Sequence, residues 1–450
     1  TTTPYERQFG IGKPAAGGTF DWRVTRLSAD SNVASTKDAI AVSRVTEIQY
    51  PALEVLKYNN TAYVALEIDA ETVGNQIPNR SYLVKGVKLK VPTNYNTTTR
   101  AYTGIWDGTF KIEWSDNPAW VLYDLLTNER YGLGEFISES QIDAFSFYDA
   151  AVYSDELVPS GVGFGTEPRF TFNAVLASRE EAFGVLQQVA GSMRATLVYQ
   201  NGLLKVLQDR PSDPIRLITN ANVINGRFTY RGTSLFERHT GVNVTFNDRA
   251  DRHLQRITTV DASTTTGSMK DALEEAQNIY GYNPVDVAAF GATTEGQAIR
   301  HGRWLLDTEI NQTMVGQWQM SVNGFDLEPN DIVLVYDEHY TDKAGSGRII
   351  EVGGTTVTID RPVELVFGST IQVQLADGVT IEERNIVETS GTTDTFTIDE
   401  AFSQDVLPYA DYILVTTAQP RQFKILAINQ GEDNNINIEA VEHDPNKYSR

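Results

Sequence analysis

Short runs of alternating apolar and polar residues, broken by Gly, Asp and Asn turns, recur through this chain and limit its fold more than any other feature. From about residue 313 they include DIVLVYD, GRIIEVGGTTVTID, STIQVQL, TFTIDE, YILVTT and RQFKILAINQGEDNNINIEAVEHD. Successive strand residues face opposite ways, so each run offers one face to a core and one to water. Turn signals roughly every 8–12 residues point to a closed or sandwiched β-domain over 313–450. No repeat of fixed length appears, which sets solenoids and propellers aside.

The first hundred residues carry the same pattern. TFDWRVTRL at 19–27 places Phe20, Trp22 and Val24 against Arg23 and Thr25. DAIAVSRVTEI at 38–48 and TAYVALEID at 61–69 alternate likewise. SYLVKGVKLKVP at 81–92 sets Val87, Leu89 and Val91 opposite Lys88 and Lys90. A β-rich domain with one solvated face is expected over 1–100.

Helical signals lie between these regions. In NPAWVLYDLLTNERYGLG at 117–134, Asn117 suits an N-cap and Pro118 the first turn, with Gly132 or Gly134 as the left-handed stop. Ser138 and Gln141 read as a capping box for a second helix through Phe145, Tyr148, Ala151 and Val152. Ser178 and Glu181 read as another, opening a helix with Phe183, Leu186, Val189 and Met193 inward. ATLVYQ and GLLKVLQ form a hairpin on Asn201-Gly202. DALEEAQNIY is helix-prone, and Thr294 caps a long helix with Ile299, Trp304, Leu305 and Leu306. The expected divisions are a helical connector at 101–165, an α+β domain at 166–260, and a loop with the long helix at 261–312.

Composition excludes several chemistries. The chain has 450 residues, enough for two to four domains. With no Cys it has no disulfide, thiolate nucleophile or Cys-based zinc site. Its five His (His239, His253, His301, His339 and His443) include no HxxxH pair. A formal charge of −22 opposes a phosphate-gripping surface. No apolar run reaches the ~18–20 residues that span a bilayer, and the start lacks a signal-peptide pattern. The missing initiator Met suggests a segment or processed form of a longer chain.

Candidate reactive groupings are few. Gly161, Gly163 and Gly165 precede a strand, whereas a phosphate loop follows one and opens a helix. Glu274-Glu275 and Glu382-Glu383 are adjacent, so their side chains diverge. Asp433 to Glu439 lacks the calcium-loop spacing and reads as a hairpin tip. Trp22, Trp106, Trp114, Trp120, Trp304 and Trp318 fall where packing is expected. No catalytic, cofactor-binding or metal-ligating residue is assigned.

Several long strings carry a family resemblance. PTNYN with TRAYTGIWDGTFKIEWSDNPAWVLYDLLTNERYGLGEFI, and EPRFTFNAVLASREEAFGVLQQVAGSMRATLVYQNGLLKVLQDRPSDP at 167–214, are two of them. TNANVINGRFTYRGTSLFERHTGVNVTFND at 219–248, AAFGATTEGQAIRHGRWLLDTE at 288–309 and the C-terminal PRQFKILAINQGEDNNINIEAVEHDPNKY continue the series in order. Together they resemble the tail tip attachment protein J family of lambda-like siphophages along nearly the whole chain.

The resemblance implies a mainly β, multidomain hub with α+β inserts, its barrel or sandwich modules similar to contractile-tail baseplate hubs. It further implies a non-enzymatic homotrimer closing the distal tail tube, with apolar faces, part of the 117–134 helix among them, buried between copies. Implied partners are other tail tip and distal tail proteins, the tape measure protein and genomic DNA in transit past acidic walls. A host outer-membrane receptor would be met through a C-terminal region absent here. Ala292, where relatives commonly carry Cys, is then a packing position. Two rival readings are a tail-associated glycan hydrolase, needing paired carboxylates in a cleft, and a secreted carbohydrate-binding β-protein, needing a row of exposed aromatics.

Overall fold

The computed structural model describes residues 63, 64, 80 and 82–448, apart from 164, 177–180, 201, 233–237, 342–344, 417–418 and 432–434. The strands expected at 19–27 and 38–48, most of that at 61–69, the Ser178 cap and Asn201 of the hairpin turn lie outside these residues. The described residues from Tyr82 onward belong to one unit, and its architecture is mainly β.

The unit begins with an aromatic α+β module. Leu89–Pro92 pairs antiparallel with Phe110–Glu113. The inward phase holds for Leu89 and Val91, whereas Val87 precedes the strand and is exposed. Helix α1 (Pro118–Thr127) follows, and the Asn117 side-chain oxygen accepts the Ala119 N–H at 3.0 Å. Trp120, Leu122, Tyr123 and Leu126 are fully buried there. The helix ends on extended Asn128, not on a left-handed glycine. Gly132 and Gly134 are required for closeness instead, because a Cβ at either would strike the backbone of Leu125 or Thr127 at the helix end.

Gln141 accepts the Ser138 N–H at 2.9 Å, but this half of the expected capping box heads only the short turn Glu139–Gln141. Helix α2 (Ala144–Asp155) starts later, from Asp143, whose carboxylate accepts the Phe145 and Ser146 N–H groups. The later start turns Phe147, Ala150 and Ala151 inward and leaves Phe145 and Val152 exposed. Helix α3 (Ala182–Ser192) buries Leu186 and Val189 against the hairpin Ala195–Gln200/Leu203–Gln208, while Phe183 faces out.

Two six-stranded sheets make up most of the remainder. The first runs in the spatial order Val223–Gly232, Met314–Met320, Ile436–Glu442, Arg421–Gln430, Ile332–Tyr336, Arg216–Thr219. Its two outer strands are consecutive in the chain, joined by the turn at 220–222, so the sheet curls round on itself. Trp318, Val333, Phe423 and Ile438 fill its interior. The second sheet spans Ser346–Gly353 to Asp411–Val415 and closes where its outer strands meet. There Ile386 bridges Ile398, and the Val387 N–H donates to the Thr397 carbonyl at 2.9 Å.

Two modules are inserted in the sequence between strands of the first barrel. Between Val223–Gly232 and Met314–Met320 the chain leaves to form a three-stranded sheet: Gly241–Asp248 at the centre, Leu254–Asp261 antiparallel and Pro284–Ala288 parallel to it. Helices α4 (Ser268–Tyr280) and α5 (Glu295–Asn311) accompany it, and Thr294 caps α5 through the Gln297 N–H as the sequence indicates. Val242, Val244, Leu273, Ala292 and Leu306 share this core. The second barrel is likewise inserted between Ile332–Tyr336 and Arg421–Gln430. Strands after residue 313 are therefore divided between two sheets, and the first sheet recruits two strands from 216–232.

Candidate functional site

The most concentrated polar site joins modules rather than reactive groups. Asp209 follows the hairpin strand Leu203–Gln208 and is nearly buried. Its carboxylate accepts Trp304 Nε1 from α5 at 2.8 Å, Lys424 Nζ from the first barrel at 2.9 Å and Tyr448 OH at 2.8 Å. Lys447 Nζ reaches both carboxylate oxygens, at 3.1 and 2.8 Å. Burial alone would raise the Asp209 pKa, but Lys424 and Lys447 outweigh it and hold the carboxyl well below the usual range. Burial, then Lys424, pushes Lys447 down to about 8. Arg194, stacked over Trp304 and donating to the Arg300 carbonyl at 2.7 Å, extends the junction. Asp209 is thereby a fastener, with its oxygens taken up by donors.

The barrels are stitched together in the same manner. The Gln374 side chain accepts the Leu217 N–H at 3.1 Å and donates to the Ile215 carbonyl at 3.2 Å. Asn222 Nδ2 donates to Asp411 at 3.0 Å beside it. Leu217, Leu334, Tyr336, Ile413 and Val415 form the apolar seam.

Several of the groups singled out from the sequence are occupied or turned apart. Burial lowers both His301 and His443 to about 4, so each ring is neutral at pH 7. Glu382 pairs with Arg384, whereas Glu383 accepts from Thr370 and Gln372. Glu274 and Glu275 lie exposed on α4. Gly161 and Gly163 sit in the turn between the paired strands Leu157–Pro159 and Thr166–Pro168, so they join two strands and do not lead from a strand into a helix. Among the described residues no group of three His, Asp or Glu could hold a metal ion, and no helix is long and apolar enough to cross a membrane. Trp106, Trp120 and Trp318 are buried; Trp114 and Trp304 are partly exposed, and Trp22 is outside the described residues.

Within the 117–134 stretch, Trp120, Leu122, Tyr123 and Leu126 are sealed in their own chain by the strand pair, α2 and α3, whereas Val121 and Leu125 are partly exposed and Tyr131 beyond the helix stands out to solvent. Other surfaces are left open. In the three-stranded sheet both outer strands lack a further partner among the described residues, and Leu254 and Ile257 stand exposed on one of them. Elsewhere Phe136, Phe325 and Phe367 project into solvent. Nothing in the residue pattern separates these from core positions, because strand alternation alone does not say which face another module covers.

A family model described as a putative phage tail protein matches residues 181–352, and one described as the FNIII-A domain of tip attachment protein J matches residues 1–51. The chain is 34% identical over 455 aligned residues to the tip attachment protein J of Escherichia phage SECphi27, covering 100% of this chain and 37% of that protein. It is 31% identical to that of Escherichia phage SECphi4, covering 91% of this chain and 35% of the relative. The chain thus spans roughly a third of the length of these curated relatives. Among solved structures it is similar to a chain of the native gene transfer agent virion, with 11% identity and a TM-score of 0.37 over 73% of this chain and 48% of that one. A Neisseria meningitidis tail protein gives 10% identity and a TM-score of 0.30, over 63% and 60% of the two chains.

Proposed function

Since this chain belongs to the tip attachment protein J family, we propose that it is the structural hub of a phage tail tip. In this reading three copies surround a channel at the distal end of the tail tube. The alignment that runs the whole length of the chain carries the assignment to the tail tip. Support for self-association comes from the open strand edges of the three-stranded sheet and the exposed side chains of Leu254 and Ile257, since sheet edges left unpaired in a soluble monomer are normally blunted or covered. A C3 ring would bury such edges against identical surfaces.

The chain then works by assembly, not by turnover. Its contacts are with other tail tip and distal tail proteins and with the tape measure protein. Host-receptor attachment is assigned to sequence outside these residues. DNA passes through without being held, because a protein of net charge −22 repels phosphate. The acidic residues lining the channel keep the DNA mobile during ejection.

Mass photometry across a concentration series, alone and with purified distal tail proteins, tests the assembly. The expected product has three times the 49.9 kDa chain mass and appears as a ring in electron micrographs. A species that stays monomeric under both conditions would refute the trimer. A ring whose inner wall is neutral or basic would remove the sliding mechanism while leaving the trimer intact.

A further inference from the structure

A cleft of about 900 Å³ opens between the aromatic module and the start of α5, and its charges are arranged against the sign of the whole chain. Each carboxylate in its wall already has a cationic partner. Asp116 pairs with Arg100, Glu113 with Lys111 at 3.3 Å, and Glu167 with Arg300 at 2.6 Å. Lys85, Lys88 and Arg249 line the same cleft, and none of them has a carboxylate partner among the described residues. Thr294, the N-cap of α5, adds the positive end of a 17-residue helix to the wall. Three solvent-exposed cations without a carboxylate partner therefore stand around one open cleft, a local patch of opposite sign in a protein of charge −22.

The rest of the lining narrows the ligand. Thr93, Asn94, Asn96, Thr97, Thr98 and Thr103 supply hydroxyl and amide groups, and among the described residues no Leu, Ile, Val or Met lines the cleft. Protein partners are usually gripped by buried apolar anchors, which this wall does not offer. A partly exposed aromatic plate is present in Trp114. Lys85 Nζ lies over one face of that ring, 5.2 Å from its centroid, so a ligand would meet the indole on its opposite face or edge. Hydroxyl-rich walls with one indole and flanking cations match a sugar ring that bears an acid group. The volume falls within the range of small-ligand sites. We infer that this cleft binds an anionic saccharide, with Lys88 and Arg249 holding its phosphate or carboxylate and Trp114 meeting a sugar face.

Such binding is independent of the trimer, since every residue it uses lies on one chain. Isothermal titration calorimetry of the full chain at low salt, with trigalacturonate, glucose 6-phosphate, maltotriose and a ten-nucleotide oligothymidylate, tests it. At least one acidic saccharide is expected to bind with Kd below about 1 mM, and the stronger of the two identifies carboxylate or phosphate as the anion. Maltotriose is expected to bind about tenfold more weakly, as is the preferred acid to Lys88→Gln or Arg249→Gln, since each change removes one charge-assisted hydrogen bond. Unchanged circular dichroism melts of the two variants confirm folding, and added NaCl should weaken wild-type binding as a second reading of the same contacts. The inference is overturned if neither acid binds, if maltotriose binds equally well, if both variants bind like the wild type, or if the oligonucleotide binds more tightly than either acid.

Discussion

Lys447 Nζ donates to Asp209 Oδ2 at 2.8 Å across 238 positions of sequence, tying the end of the chain to the hairpin of the aromatic module. Replacing Asp209 by Asn leaves Lys424 and Lys447 without a counter-charge in a buried site. The expected loss is about 3–5 kcal/mol at pH 7, read by urea denaturation. Because the folded-state pKa of Asp209 is depressed, its stabilisation is complete above the unfolded value near 3.9 and fades as pH drops toward the folded one. The gap between wild type and Asp209→Asn should therefore narrow below about pH 4.

Asp331 behaves in the opposite sense. Burial, with Glu328 and Asp326 adding repulsion, pushes its carboxyl up to about 6. The folded state then holds its proton more tightly than the unfolded chain does, so stability falls as pH rises from about 4 through 6. Asp331→Asn keeps an oxygen for the Glu328 N–H, which Asp331 accepts at 2.7 Å, without the buried charge. The variant should gain about 1–2 kcal/mol at pH 7.5 and lose that advantage by pH 4, as followed by thermal melts at both values.

Two glycines should respond with opposite sign to the same substitution. Gly132→Ala drives a methyl into the Leu125 carbonyl and should cost about 1–3 kcal/mol. Gly184 lies exposed inside α3, with open space where a methyl would stand, and Gly184→Ala should stabilise by about 0.5–1 kcal/mol. Denaturant midpoints of the two variants, measured side by side, check both signs.

Gln374→Ala cuts the stitch between the barrels. It strands the Leu217 N–H and the Ile215 carbonyl, for a cost of about 1–3 kcal/mol. Calorimetry should show the single unfolding peak broaden or split as the inserted barrel loses its coupling to the first. A narrow peak at the wild-type temperature would mean that the apolar seam alone holds the two together.

Local elements are legible where one physical cause decides them. Asn117, Thr294 and the ATLVYQ/GLLKVLQ pair can be read directly because capping and short-range alternation act within a few residues. The start of α2 escapes such reading because two caps compete, at Ser138 and Asp143, and only packing against Phe147 and Ala151 selects the second. The end of α1 escapes it because a glycine needed for close approach and one needed for a left-handed turn are the same letter. The cleft has no sequence signal at all: Lys88, Trp114 and Arg249 are far apart along the chain and converge only when it folds.

The sequence by itself determined a mainly β protein without thiol chemistry, rich in capped helices and turns, and it carried the family likeness in its ordered strings of residues. It also determined which side chains are apolar, but not which neighbour covers them. Only the tertiary structure decided that Arg216–Thr219 closes a barrel with strands from beyond residue 313, that two modules branch out between strands of that barrel, and that Asp209 fastens the hairpin to α5 and the barrel. Strand pairing and ion pairing over such separations depend on which surfaces fit when the chain closes, and alternation along a strand is the same whichever partner lies beside it.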